Sequence, residues 1–279
     1  MIHLHQDGLL ALRFATDRAG RTYLAGHRQR FPLRTTVPLY LDEADPGMAF
    51  VYVQNPTGGV FAGDHLTEDI ISEVGAHVHM TTQSATKLYR MEGGAAVQEL
   101  SFRLQPEAYV EHMPDPFIPQ AGSRFEQRLT IEMAERAAFV AGETVAPGRL
   151  ASGERFAYDR LLLRTEVRDG DRELFVDTLL LEPGRRTPSY RGLLGRYDYV
   201  ASLLAVAPGR DAEALAAHLD GDLARLPDVL AAAGTLPCGA GAFARILAHS
   251  AVTAQRALAA AWRVARRELL GCPLPPRRK

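Results

Sequence analysis

Hydrophobic and polar residues alternate in short runs through the first two hundred positions. Leu10, Leu12 and Phe14 skip polar neighbours, Asp17-Arg18-Ala19-Gly20 reads as a turn, and Met48 to Val53 is a β-prone apolar run ending at Asn55-Pro56. The rhythm continues through Ile70-Ile71, Ala76-Val78-Met80, Leu100-Phe102-Leu104 and Leu129-Ile131-Met133, with Gly75, Gly93-Gly94, Pro106 and Gly122 as punctuation. Leu161 to Val167 and Leu174 to Leu181 flank Asp169-Gly170-Asp171 and predict a hairpin. No helical period competes before about residue 205, so the pattern predicts a mainly β fold: a sandwich, a barrel or a stacked β-solenoid.

After Pro208-Gly209 the texture becomes alanine-rich. Asp211 to Leu219 and Leu223 to Ala233 are short helix candidates. A longer helix is predicted from Phe243, Leu247, Ala251, Ala254, Leu258, Trp262, Ala265 and Leu269, with Gly271 and Pro273 as its stop and with Arg245, Arg256, Arg263 and Arg267 largely off the apolar stripe. The organisation expected is therefore a β-rich part over 1–205 and an alanine-rich helical part with a basic tail over 206–279. The tail from Pro273 to Lys279 is expected to be mobile or to order on binding.

Composition narrows the function classes. A chain of 279 residues with 47% hydrophobic residues supplies a core of its own, and a net charge of −1 argues against a nucleic-acid binder. Charge is uneven along the chain. Between Thr35 and Thr86 no Lys or Arg occurs beside Asp42, Glu43, Asp45, Asp64, Glu68, Asp69 and Glu73, whereas Arg245 to Lys279 carries seven Arg and one Lys against Glu268 alone. One end favours cations and the other acidic partners. Cys238 and Cys272 are too few for a disulfide framework, the start Met1 to Asp7 has no basic leader, and no apolar run approaches a membrane span, so a cytoplasmic chain without membrane partners is expected.

Candidate chemistry centres on Asn55-Pro56-Thr57-Gly58-Gly59-Val60-Phe61-Ala62-Gly63-Asp64. Gly58 and Gly63 have the glycine spacing of a phosphate loop, but Asp64 and His65 stand where Lys and Ser or Thr would hold phosphate and Mg²⁺. A carboxylate there repels phosphate and attracts a cation; a tight turn is the bland alternative. His77 and His79, at i and i+2, share one face of a strand and either contact a borderline metal ion or form a polar surface. His3 and His5 repeat that spacing. Glu143 and Asp177 are acids flanked by apolar residues, each pointing outward or buried with a partner, with Arg149 and Arg155 as partner candidates. Paired carboxylates also occur in glycosidases, but a single Trp claimed by the helix stripe leaves no aromatic platform for sugars.

A series of motifs runs from Gly20-Arg21-Thr22 and Pro32-Leu33 through Asn55 to Gly59 and Gly63-Asp64 to Thr81-Thr82-Gln83-Ser84-Ala85-Thr86-Lys87-Leu88-Tyr89-Arg90. It continues with Met113-Pro114-Asp115-Pro116, Ile118-Pro119, Gly122-Ser123-Arg124-Phe125, Gly148-Arg149 and Gly153-Glu154-Arg155-Phe156. In that order the motifs resemble the urease accessory protein UreD (UreH) family. The resemblance implies a β-helix-like stack with added helices, a non-enzymatic scaffold that binds UreF, which recruits the GTPase UreG, and that contacts apo-urease. It also implies an internal acidic tunnel as a route for nickel(II) in transit, with no permanently bound cofactor. Asp64, Glu143 and Asp177 fall where the family carries acids associated with that route, although Glu is commoner than Asp at position 177. The ending Arg277-Arg278-Lys279 departs from the Pro-Arg-Ile-Trp-like end common in the family. Sparse carboxylate and imidazole ligands suit a carrier that must release its ion, and they leave the choice among first-row metals to a delivering partner. Two alternatives from other classes are a β-helical carbohydrate-active enzyme using Asp64 with Glu143 or Asp177, and a plain adaptor without metal contact.

Overall fold

A computed structural model describes residues 5–275. The chain opens with β1 (Asp7–Thr16), β2 (Thr22–Arg30) and β3 (Arg34–Thr35), then enters a repeating path. β4 (Ala49–Gln54), β5 (Gly59–Val60) and β6 (His65–Ser72) are followed by β7 (His77–Thr82), β8 (Thr86–Leu88) and β9 (Ala96–Leu104). Next come β10 (Tyr109–His112), β11 (Phe117–Pro119), β12 (Arg124–Met133), β13 (Ala138–Val145) and β14 (Arg160–Asp169). β15 (Arg172–Leu181) and β16 (Tyr199–Val206) lead into α1 (Ala212–Ala224), β17 (Val229–Thr235), β18 (Gly241–Ala248) and α2 (Ala251–Leu270).

Alternate strands belong to alternate sheets, which makes the middle of the chain a β-solenoid. Sheet A runs β15-β14-β12-β9-β6-β1-β2 and sheet B runs β17-β18-β16-β13-β10-β7-β4-β3, while β5, β8 and β11 stack as a short third side. Neighbouring coils pair in parallel, so that His65, Val97, Glu126 and Leu162 stand side by side. Antiparallel strands close both ends: β2 against β1, β15 against β14, β16 against β13 and β18 against β16. The expected hairpin is the β14–β15 pair.

Alternation decides which side chains enter the core. Leu66, Ile70, Leu100, Phe102, Phe125 and Ile131 of sheet A meet Val51, Val78, Met80, Val110 and Phe139 of sheet B in one buried cluster. The other face of sheet B is covered by α2, whose Leu258, Ala261, Trp262 and Ala265 pack on Val140, Leu203, Ala205, Ala242, Ala244 and Ile246. The small residues on β16 and β18 let the helix approach closely, and burial of a side chain such as Trp262 contributes on the order of 2–3 kcal/mol.

Two sequence expectations are corrected at the C-terminal end. The Asp211–Leu219 helix exists as α1, capped by Asp211 Oδ1 accepting from Ala214 N at 2.9 Å, but Leu223–Ala233 is not a second helix. α1 ends at Ala224, Asp228 adopts φ +61°, and Val229–Thr235 is an edge strand paired with β18. Alanine's helix preference loses here to tertiary pairing. The long helix begins at Ala251, behind Ser250 whose Oγ accepts from Thr253 N, so Phe243 and Leu247 lie on β18 and face the solenoid core. A spacing of four puts residues on one face of a helix and also on one face of a strand, so that spacing could not separate the two. Gly271 ends α2 at φ +73°, as expected. Of the tail, Pro273 O accepts from Arg266 Nε at 2.7 Å and Pro275 is buried; residues 276–279, like His3, lie outside the described residues.

Candidate functional site

The glycine-rich stretch is the first corner of the solenoid. Asn55 Oδ1 accepts from Thr57 N and Thr57 Oγ1 at 3.1 and 2.6 Å, and Gly58 turns at φ +77°. Gly59 is required by closeness: a Cβ there would lie 2.4 Å from Lys87 O and 2.5 Å from the Tyr89 ring in the next coil. Asp64 closes the corner. Its Oδ1 accepts from Gln6 N at 3.0 Å and its Oδ2 from Phe61 N at 2.9 Å, tying β6 to the start of β1. Burial raises its pKa and these amides oppose the rise.

The same inward face of β6 carries Glu68, only 3% exposed, four residues further on. Gln98 Nε2 donates to Glu68 Oε1 at 2.7 Å, and Gln98 stands in register with Gln127 on β12. Gln127 Nε2 in turn donates to Glu143 Oε2 at 3.3 Å across the gap between the sheets. Glu143, Ser202 and Arg245 are register partners on β13, β16 and β18, and Arg245 Nη2 reaches back to Asp177 Oδ2 on sheet A at 2.7 Å. A polar seam thus crosses an otherwise apolar interior in the order Glu68, Gln98, Gln127, Glu143, Arg245, Asp177.

Two small chambers lie along this seam. One, of about 60 Å³, is bounded by Glu68 and Gln98 and by corner residues Asn55, Gly58, Thr82, Gln83, Ser84 and Thr86. The other, of about 30 Å³, is bounded by Gln127, Glu143, Asp177, Thr165, Ser202 and His112. Each has room for one or a few water-sized occupants. Burial pushes the carboxyl pKa of Glu68 up to about 7, with the Gln98 hydrogen bond opposing. Glu143 is also pushed up to about 7, by burial first, with Arg245 opposing and Asp177 adding to the rise. Near neutrality both acids are therefore divided between the neutral and the charged form.

The structure brings Glu143 and Asp177 together, with Arg245 as the partner of Asp177. Arg149 and Arg155, expected for that role, pair instead with Glu154 and Asp198. Asp64 shares the strand face of Glu68 but has both oxygens engaged by the corner. His77 and His79 do share a strand face, but it is the outer one, away from the seam. His77 Nδ1 bonds Asp45 Oδ2 at 2.6 Å. His79 Nδ1 bonds Glu111 Oε2 at 2.8 Å, with its ring stacked between Phe50 and Trp262. Among the described residues no three His, Cys, Asp or Glu side chains are grouped to hold a metal ion. Sequence reading missed Gln98, Gln127, Arg245 and His112 as seam residues. A glutamine at an inward position between apolar neighbours, as in Phe125-Glu126-Gln127-Arg128-Leu129, is the signal that was available.

The sequence profile of the family described as UreD urease accessory protein matches residues 6–279. The chain belongs to the UreD family of urease accessory proteins. The urease accessory protein UreD of Mycolicibacterium gilvum (strain PYR-GCK) is 38% identical over 265 residues, covering 95% of this chain and 96% of that protein. UreD 2 of Streptomyces griseus is 40% identical over 275 residues, covering 98% and 93%. The archaeal UreD of Haloarcula marismortui is 35% identical over 281 residues, covering 98% and 91%. Among the described residues of this UreD-family chain no helix is long and apolar enough to cross a membrane.

Proposed function

We propose that the polar seam is a route along which nickel(II) passes during urease maturation, and that the chain is a non-enzymatic scaffold working in the cytoplasm with UreF, with UreG through UreF, and with apo-urease. The observation that supports this reading is the succession of polar side chains from Glu68 to Asp177 inside an apolar solenoid, three of its steps being hydrogen bonds and the other two register neighbours. Buried polar groups are costly, so a line of them without a folding role marks a path for a polar cargo. Carboxylates that titrate near neutrality and neutral amides bind a divalent ion weakly, which suits passage better than storage. In this reading Asp64 fixes the corner that covers the outer chamber, and His77 and His79 take no part in the route. The glycosidase alternative loses its first acid, since the Asp64 oxygens accept backbone amides.

The test is the double substitution Glu143→Gln with Asp177→Asn, which keeps side-chain shape and removes both charges. Urease activity and urease nickel content in cells should fall about tenfold or more, while the chain still co-purifies with UreF. Full activity in those cells would leave the plain adaptor reading standing and exclude the route.

A further inference from the structure

The smaller chamber contains one group that no folding requirement explains. His112 is the last residue of β10, 7% exposed, with its ring against Phe102 at a centroid distance of 5.1 Å. Its Nδ1 is buried and has no hydrogen-bond partner among the described residues. The carboxylates around it are each engaged: Glu143 by Gln127, and Asp177 by Arg245. Register fixes its position relative to them. His112 stands opposite Ala141 on β13, and Glu143 is two residues further along the same inward face. That makes His112 and Glu143 diagonal neighbours on adjacent parallel strands, roughly 8 Å apart at the backbone from strand spacing and rise, and both bound the chamber.

We propose that His112 and Glu143 form a two-donor transit site in this chamber, and that the imidazole makes the seam selective for borderline first-row cations such as Ni²⁺ over Mg²⁺. The proposal rests on the reading of the seam as a cation route and adds the residue that decides which cations use it. Carboxylate, amide and hydroxyl oxygens alone would favour hard ions, which are far more abundant in cells than nickel. An imidazole nitrogen reverses that preference, because it suits Ni²⁺, Zn²⁺ and Cu²⁺ and is a poor ligand for Mg²⁺. Burial lowers the His112 pKa to about 4, so the ring is neutral and its lone pair is free near neutrality. With no partner holding one tautomer, the ring proton can occupy whichever nitrogen does not face the ion. Two donors without a third give weak binding, as hand-over requires.

The experiment uses the full chain labelled with ¹⁵N-histidine. Ring resonances of His112, assigned by their loss in His112→Phe, are followed during titration with Ni²⁺ and separately with Mg²⁺. Paramagnetic Ni²⁺ should broaden the His112 signals at low molar ratio, and excess Mg²⁺ should leave them in place. His112→Phe keeps the packing on Phe102 but has no ring nitrogen. In calorimetry it should bind Ni²⁺ to the chamber about tenfold or more weakly, with Mg²⁺ binding unchanged; loss even of a group that only hydrogen-bonds a metal ligand typically costs roughly 10–100-fold. His112 signals untouched by Ni²⁺, or unchanged Ni²⁺ affinity in His112→Phe, would overturn the proposal; if that variant does not fold, the wild-type titration decides. The two readings fail separately. Full urease activity in the Glu143→Gln, Asp177→Asn cells with Ni²⁺ broadening of His112 intact removes the route and keeps the site, whereas lost activation with an unperturbed His112 ring removes the site and keeps the route.

Discussion

Sheet B carries a buried polar system on each of its faces, and the two are built differently. On the outer face, beneath α2, Arg266 is fully buried and each of its three nitrogens donates a hydrogen bond. Its Nη1 donates to Glu111 at 2.6 Å, its Nη2 to Asp42, and its Nε to Pro273 O. Glu111 also accepts from Tyr109 at 2.7 Å and from His79. On the inner face the seam has an orphaned His112 Nδ1, an orphaned Arg245 Nη1 and two acids with pKa values raised to about 7. Saturation is what a network needs when its work is to fix one geometry, and here it joins the acidic early stretch to the basic C-terminal helix through Asp42 and Arg266. The open valences of the inner face are the feature on which the proposed cation route draws.

The comparison breaks most visibly at Arg266. Arg266→Ala leaves Asp42 and Glu111 buried without a counter-charge and is expected to destabilise the chain by about 3–5 kcal/mol in urea unfolding; a loss below about 1 kcal/mol would show that the outer network does not hold α2. Glu68→Gln should act in the opposite direction. Glu68 has a folded pKa of about 7 against 4.5 unfolded, so its contribution is fully present below pH 4.5 and is lost as pH rises through 7. The variant should therefore match the parent near pH 4 and exceed it by up to about 3 kcal/mol above pH 7, read from unfolding curves at both values. The smallest effect is expected at His77, whose pair with Asp45 lies at the rim of the outer system. His77→Ala should change stability by less than about 1 kcal/mol and leave urease activation unaltered, and a large fall in activation would return the histidine pair to the route.

Strand alternation was legible where it was regular. The runs around Leu100 and Leu129 are sheet A strands as their pattern predicts, and Asp169-Gly170-Asp171 lies at the tip of the β14–β15 hairpin. The failures cluster after residue 220. Val229-Leu230-Ala231-Ala232-Ala233 has helix-forming composition, yet it sits where β18 offers an unpaired edge. The candidate site was legible only in part, for a similar reason. Glu143 and Asp177 declare themselves as acids among apolar neighbours, whereas Gln98, Gln127 and His112 look locally like residues that alternation could send either way.

The sequence alone determined the period of the strands, the corners marked by glycine and proline, the stop of α2 at Gly271 and the presence of isolated acids in apolar runs, because each depends on neighbours within a few positions. Tertiary structure decided which of those acids meet. Asp177 and Arg245 lie 68 positions apart, and Gln127 and Glu143 sit on different sheets. Their meeting depends on parallel coils stacking in one register and two sheets facing each other across a core. Long-range register of that kind leaves no mark in any short window of the chain.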